Sequence, residues 1–418
     1  MLDLKFIIEN KKLVAENAAN KNIKVDVDKI VELDARRREL LQKTESIRAE
    51  QKQLGKDQID KAKKLKQEIK DLDPELEKTQ KDLNELTAQV PNIIANSTPV
   101  GASEDDNKVE RTEGKPTEFK FDPKDHIELG TNLEIIDTEK AAEMSGARFY
   151  YLKGDAALLE FALIQFTLQK LVSKGFTPVV PPVLVKEKAM FATGFFPAER
   201  NEIYSVNPGE DDLYLVGTSE VPLTMLHASE TLHEKKLPIR YCGFSTCFRR
   251  EAGSYGKDTK GIIRVHQFDK IEMFSFCHPE KSEEEHELIR ETEEEIMQDL
   301  GLPYQVINIC SADLGAPAAK KYDLEAWIPT QEKYRELTSC SNCTDYQARR
   351  ANIKFKPETS NPETQKSQFV HTLNGTAVAM ARTIVAILEN YQNEDGTVTI
   401  PEALRPFMGG RDKIEKPE

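Results

Sequence analysis

Apolar positions in the N-terminal part of the chain recur at alternating steps of three and four. One block runs Ile30, Leu33, Arg37, Leu40, Thr44, Ile47, Gln51 and Leu54; a second runs Ala62, Leu65, Ile69, Leu72, Leu76, Thr79, Leu83, Leu86 and Val90. That spacing is a coiled-coil seam. Only Gly55-Lys56-Asp57-Gln58 and nearby polar residues separate the blocks, so the pattern predicts an antiparallel two-helix hairpin over about residues 27–90. Pro74 removes a donor from the second helix and is expected to kink it, at a position off the seam. At the expected tip Lys52, Lys56, Lys61, Lys63, Lys64 and Lys66 outnumber Asp57 and Asp60. A solvated helix surface is the ordinary reading of such a run; contact with a phosphate backbone is the competing one.

From Pro91 to Asp122 the periodicity stops, and Pro, Gly, Ser and acidic residues accumulate, most clearly after Gly101. This reads as a linker. Beyond it, Ala156 to Lys174 predicts an amphipathic helix, and Thr177 to Val185 an apolar strand. Strands are expected around Leu213–Val216, Ile239–Phe244, Ile271–Phe276, Tyr304–Ile309 and Asp323–Ile328, with helices near Ser282–Leu300 and Thr376–Tyr391. Mixed strands without a strict βαβ rhythm predict an α+β fold with an antiparallel sheet. The organisation expected is an N-terminal domain over residues 1–100, a linker over 101–122 and a second domain over 123–418.

The length supports that division, because 418 residues exceed what one hydrophobic core usually organises. No apolar run approaches the ~20 residues of a bilayer span, and the N-terminus lacks the basic and apolar regions of a signal peptide. The expectation is a cytoplasmic protein without membrane attachment. Six cysteines scattered through a large acidic chain argue against a secreted disulfide scaffold. The net charge of −14 does not exclude a polyanionic partner, since a local basic patch can still steer nucleic acid.

The chemistry is concentrated on one expected β-hairpin. Phe248-Arg249-Arg250-Glu251 and, after a loop, Arg264-Val265-His266-Gln267-Phe268-Asp269-Lys270-Ile271-Glu272 set arginines, a ring and carboxylates at fixed spacing. A guanidinium offers a planar fork to a phosphate, a ring offers a face to a purine, and carboxylates accept from an exocyclic amine or an ammonium. The pattern resembles the second signature motif of class II aminoacyl-tRNA synthetases. Lys174 to Leu184, with Pro182, resembles their motif 1, and Gly375-Thr376-Ala377-Val378-Ala379-Met380-Ala381-Arg382 resembles motif 3, with alanines where glycines are usual. Thr218-Ser219-Glu220, Glu336-Leu337-Thr338-Ser339-Cys340-Ser341-Asn342-Cys343 running into Asp345-Tyr346-Gln347-Ala348-Arg349-Arg350, and His371-Thr372-Leu373-Asn374-Gly375-Thr376, with the helical arm, extend the resemblance over essentially the whole chain to bacterial-type seryl-tRNA synthetases.

That resemblance implies a class II catalytic domain with an antiparallel sheet, carrying an antiparallel coiled-coil arm. It implies activation of L-serine with ATP, transfer to the 3′ end of tRNA(Ser), and a homodimer with Pro182 at its interface; tRNA(Sec) stays open as a second acceptor. By resemblance, Arg249 holds the α-phosphate, with Arg250 beside it, and Glu251 meets the adenine amine. Val265 meets the nucleotide through its backbone, and Phe268 stacks on the purine with Arg382 on the other face. Glu336 and Ser339, flanking Leu337 and Thr338 at the nucleotide, are the implied Mg²⁺ ligands. Thr218, Ser219, Glu220, Glu272 and Thr376 are the implied serine pocket, with no specificity attached to Ser219. A pocket built to bond a hydroxyl rejects its deoxy analogue strongly. The arm, through Lys52, Lys56, Lys61 and Lys64, is implied to grip the variable arm of tRNA.

Other features are expected to be structural. Cys340-x-x-Cys343 lacks the second pair or histidine of a zinc site; His266 and His371 are expected to bond neighbouring groups rather than act as bases, and Trp327 to pack. The segment Thr193 to Ile203, with Gly194 as a hinge, is a candidate lid. Two further readings stand beside an active ligase. One is a paralogue that is non-catalytic or charges a carrier protein; the other is a coiled-coil interaction protein supported by the hairpin alone.

Overall fold

The two heptad blocks are long helices, α1 (Val27–Gln53) and α2 (Ile59–Gln89). Ile30, Leu40 and Ile47 of the first and Leu65, Thr79 and Leu83 of the second are buried where they meet. Ion pairs fix the antiparallel register: Arg36 Nε donates to Glu75 at 3.0 Å, and Lys61 lies 2.7 Å from Glu50 nearer the tip. Asp34 is almost fully buried, a costly place for a carboxylate, and is matched by Arg37 and Arg38, each at 2.7 Å. Arg37, a polar break in the seam, is therefore there to hold Asp34. Helix α2 continues across Pro74, whose side is exposed. Short helices at Leu4–Glu9 and Lys11–Asn20 close the base around Ile7, Val14, Val27, Leu83 and Val90.

A computed structural model describes residues 1–55, 58–252, 260–358 and 366–417. They form two units, Met1–Ile93 and Ile94–Glu418.

The second unit is built on a sheet of eight strands: β1 (Lys108–Glu113), β2 (Thr177–Val179), β3 (Ile239–Phe248), β4 (Gln267–Cys277), β5 (Tyr304–Asn308), β6 (Lys320–Ile328), β7 (Lys333–Asn342) and β8 (His371–Ala379). Their spatial order is β1-β5-β6-β7-β8-β4-β3-β2. Every neighbouring pair is antiparallel except β2 with β3. The helices around it include α3 (Gly154–Ser173), α4 (Glu187–Thr193), α5 (Glu220–Met225), α6 (Ser282–Asp299), α7 (Tyr346–Ala351) and α8 (Met380–Asn390). Helices α6 and α8 pack on the central strands, burying Ile289, Ile296, Leu324, Ile384 and Leu388 in one core. A Cβ on Gly375 of β8 would stand 2.3 Å from Ile289 and 2.7 Å from Glu293, so glycine lets α6 lie directly on that strand.

Four expectations are corrected. Residues 101–122 are not all linker: β1 pairs with β5, and all six of its side chains are exposed, so no apolar period marked it. The strand expected over Thr177–Val185 is split into β2 and Leu184–Lys186, because Pro181 and Pro182 cannot donate to a ladder. The helix expected from Thr376 starts at Met380, since residues up to Ala379 complete β8. Finally, α3 is long and apolar enough, by length and composition, to cross a membrane, although no run was expected to come near. Its inner face, including Leu159, Leu163 and Leu171, is core.

Candidate active site

Strands β3 and β4 form the expected hairpin, in register from Phe248 opposite Gln267 to Ile239 opposite Phe276. Two more bonds extend it past the strand ends. Arg249 N–H donates to the His266 carbonyl at 2.9 Å, and His266 Nδ1 pairs with the Arg249 carbonyl at 2.9 Å. His266 thus braces the turn-out of Arg249. The Arg249 guanidinium lies 5.3 Å from the Phe268 ring centre, and its Nε donates to the Gly217 carbonyl at 3.3 Å. Glu251 accepts from Arg264 at 2.6 Å.

Phe268, Lys270 and Glu272 alternate along β4 and so share one face. That face is the floor of a cavity of about 310 Å³, within the range of small-molecule sites. One end of it is a buried polar knot. Glu272 Oε2 accepts from Thr218 Oγ1 and Thr376 Oγ1, both at 3.3 Å, and forms a tight ion pair with Lys270. Glu220, at the start of α5, accepts on Oε1 from Gln347 at 2.6 Å and Asn374 at 3.0 Å. Burial and the neighbouring Glu272 push the Glu220 carboxyl up to about 7.

At the other end stands Glu336 on β7. Its side chain is 43% exposed to the cavity; the desolvation it feels among its neighbours favours the neutral form, but Arg382, Lys321 and Arg249 outweigh that and hold it at about 2. Arg382 Nη1 lies 3.2 Å from the Glu336 carboxylate and 2.9 Å from its carbonyl, and Nε donates to the Ile263 carbonyl at 3.2 Å.

Two β-bulges make this wall. Strict alternation would send Glu336 and Ser339, three apart, to opposite faces of β7. The β6–β7 register slips between Leu324 opposite Thr338 and Glu325 opposite Glu336, leaving Leu337 as the extra residue, and both side chains line the cavity. A second slip, from Ile271 opposite Val378 to Glu272 opposite Thr376, makes Ala377 the extra residue of β8 and puts Thr376 and Ala379 on the cavity side together.

Of the expected site residues, Thr218, Glu220, Arg249, Glu251, Val265, Phe268, Glu272, Glu336, Leu337, Ser339, Thr376 and Arg382 all line this cavity. Three do not. Ser219 is buried and donates to the Gly243 carbonyl at 3.0 Å. Thr338 turns its hydroxyl to Glu293 of α6, and Arg250 is exposed. On the arm, Lys52 and Lys64 are exposed, Lys61 is paired with Glu50, and Lys56 lies outside the described residues.

Residues 1–94 match the family model for the seryl-tRNA synthetase N-terminal domain, and residues 202–391 that for the class II tRNA synthetase core domain (G, H, P, S and T). The serine–tRNA ligase of Thermobifida fusca is 48% identical over 98% of both chains. The chain belongs to the seryl-tRNA synthetase family.

Similarity to other seryl-tRNA synthetases extends to solved structures. The Pyrococcus horikoshii enzyme complexed with ATP superposes with a TM-score of 0.91 at 41% identity over 100% of both chains. The Naegleria fowleri cytoplasmic enzyme with AMP gives 0.88 at 36% identity, over 100% of this chain and 99% of that one.

Sequence reasoning missed Lys270, Lys321, Glu199, Gln347 and Asn374. Lys270 was legible, being two residues from both Phe268 and Glu272 on an alternating strand, and so was Asn374 beside Thr376. Lys321, paired with Asp323 at 2.9 Å, and Glu199 carried no local signal. As to metal, Glu336 and Ser339 supply two oxygens, and no group of three or more His, Cys, Asp or Glu gathers among the described residues. Such a pair fits a hard cation that brings most of its ligands as water and phosphate, as Mg²⁺ does.

Proposed function

We propose that this enzyme activates L-serine with ATP and transfers it to the 3′ end of tRNA(Ser). The observation that carries the reading is one cavity with a cationic end, Arg249 and Arg382 around Glu336, and a polar end closed by Glu220, Glu272, Thr218 and Thr376. The polar end suits an ammonium and a small hydroxyl; the cationic end suits phosphates.

In the first step a serine carboxylate oxygen attacks the α-phosphorus, the bond to the bridging oxygen of pyrophosphate breaks, and seryl-adenylate remains. Arg249, braced by Gly217 and His266, meets the charge that builds on the α-phosphate oxygens. Phe268 offers its ring to the purine, and Glu251 and Val265 meet the edge of the base. Glu336 and Ser339 would hold Mg²⁺, which when bound neutralises phosphate charge and favours departure of pyrophosphate. Arg382 keeps Glu336 ionised for that purpose. In the second step the terminal ribose hydroxyl attacks the seryl carbonyl, AMP leaves with the electron pair of the broken bond, and the hydroxyl proton is released.

The arm is assigned to tRNA. Lys52 and Lys64 are exposed cations on α1 and α2, beside the hairpin connection, suited to backbone phosphates. The enzyme is assigned to the cytoplasm as a homodimer. Phe161 (60% exposed) and Val172 (51%) on α3, with Val180 (82%) after β2, leave apolar surface that a second copy would cover.

Serine-dependent exchange of pyrophosphate into ATP, run beside threonine, alanine and glycine, tests the reading. Exchange with serine alone is expected. Exchange with another amino acid would overturn the pocket assignment, and none at all the reaction.

A further inference from the structure

Gln347 lies on α7, more than a hundred residues from Glu220 in sequence, yet its side chain is completely buried against the serine end of the cavity. Its amide orientation is settled by its partners. Thr372 Oγ1 donates to Gln347 Oε1 at 2.8 Å, while Nε2 faces the Thr193 carbonyl, which can only accept, at 3.3 Å and the Glu220 carboxylate at 2.6 Å. Asn374 adds a second amide donor to the same Glu220 oxygen. That oxygen is Oε1. Among the described residues no donor reaches Oε2, and Glu220 lines the cavity. One oxygen is clamped by two neutral donors and the other is left to a ligand.

We propose that Gln347 is the positioning residue for Glu220: its buried amide holds Oε1 so that Oε2 is presented to the ammonium of the amino-acid substrate. The inference rests on the serine-activating reading above and adds a residue to its pocket. Neutral donors suit the task. A lysine or arginine in place of Gln347 would neutralise Glu220 and spend the charge that should attract the substrate, as Lys270 does for Glu272. Through the Thr193 carbonyl the same amide also ties down the start of the segment from Gly194 to Glu199, three of whose members line the cavity. Arg350, one turn along α7, reinforces that tie by donating to the Phe191 carbonyl at 2.8 Å and the Phe196 carbonyl at 3.2 Å.

The test compares Gln347→Met and Thr372→Val with wild type in pyrophosphate exchange, measuring KM for serine and for ATP separately and recording thermal midpoints. Met keeps the volume and removes the donor. Loss of a charge-assisted bond should raise the serine KM roughly 10- to 100-fold. ATP binds at the other end, so its KM should stay near the wild-type value. Thr372→Val frees the amide to rotate without touching Glu220, and should raise the serine KM in the same sense by less. If Gln347→Met does not fold, Thr372→Val alone decides. An unchanged serine KM in folded variants, or serine and ATP KM rising together, would overturn the proposal in favour of a packing role. Wild-type exchange judges the underlying reading separately. Should wild type use another amino acid, serine is lost and Gln347 is judged on that amino acid's KM; should it use none, both fall.

Discussion

Glu220 and Glu272 stand in one pocket but meet different partners, and that difference sets a pH dependence. Glu272 is paired directly with Lys270, whereas the Glu220 carboxylate bonds only to amides; burial and Glu272 raise it, the Gln347 bond and the more distant charge of Lys270 lower it less, and Glu199 adds a weak rise. The Glu220 carboxyl therefore titrates near 7, and the ionised form is the one that attracts an ammonium. As pH falls through that value Glu220 takes up a proton, and the serine KM should rise about tenfold for each further unit. Exchange kinetics between pH 6 and 8.5 check this; a flat serine KM would remove Glu220 from the ammonium site. Glu336, held at about 2 by Arg382, Lys321 and Arg249, stays charged throughout and adds no limb. For Arg249→Ala the expectation is a loss of exchange by roughly 10²- to 10³-fold, the size seen when one donor to a developing oxyanion is removed. A folded variant that retained exchange would leave Arg249 without its role.

Among the elements, strand β8 and helix α6 are joined so closely that one methyl group should be felt. A Cβ on Gly375 would fall 2.3 Å from Ile289, so Gly375→Ala should cost about 1–3 kcal/mol, read as a lowered urea midpoint. The arm should be separable from chemistry. Lys52→Ala with Lys64→Ala should leave serine-dependent exchange intact and weaken tRNA binding. The slope of log affinity against log salt should become shallower by about 0.7–0.9 for each phosphate that the arm no longer neutralises. Equal slopes for variant and wild type would place the tRNA contact elsewhere. The heptads made both arm helices legible, because a two-helix seam is written in local spacing. Strand β1 was not legible, since Lys108–Glu113 pairs through its backbone and carries no buried apolar side chain, its inward ties being polar ones such as Arg111 to Glu294.

On the scale of the whole molecule, the outer face of α3 and the residue after β2 carry large apolar side chains that the single chain does not cover. In the homodimer proposed above, a charge there should separate the two copies. Phe161→Glu with Val180→Glu is expected to shift sedimentation from dimer to monomer; a variant that stays dimeric would move the interface to another face. The family, the α+β class and the hairpin arm could be read from the chain, and so could many of the residues that line the cavity, because each is a short run whose spacing carries its chemistry. Facing and proximity could not. Glu336 and Ser339 share a wall through the extra residue Leu337, Thr376 and Ala379 through the extra residue Ala377, and a bulge depends on how the partner strand registers. Likewise Gln347 reaches Glu220, and Lys321 reaches Glu336, only after the sheet and α7 have packed. The motifs are local patterns, whereas these contacts join residues that no local pattern links, so only folding brings them into one pocket.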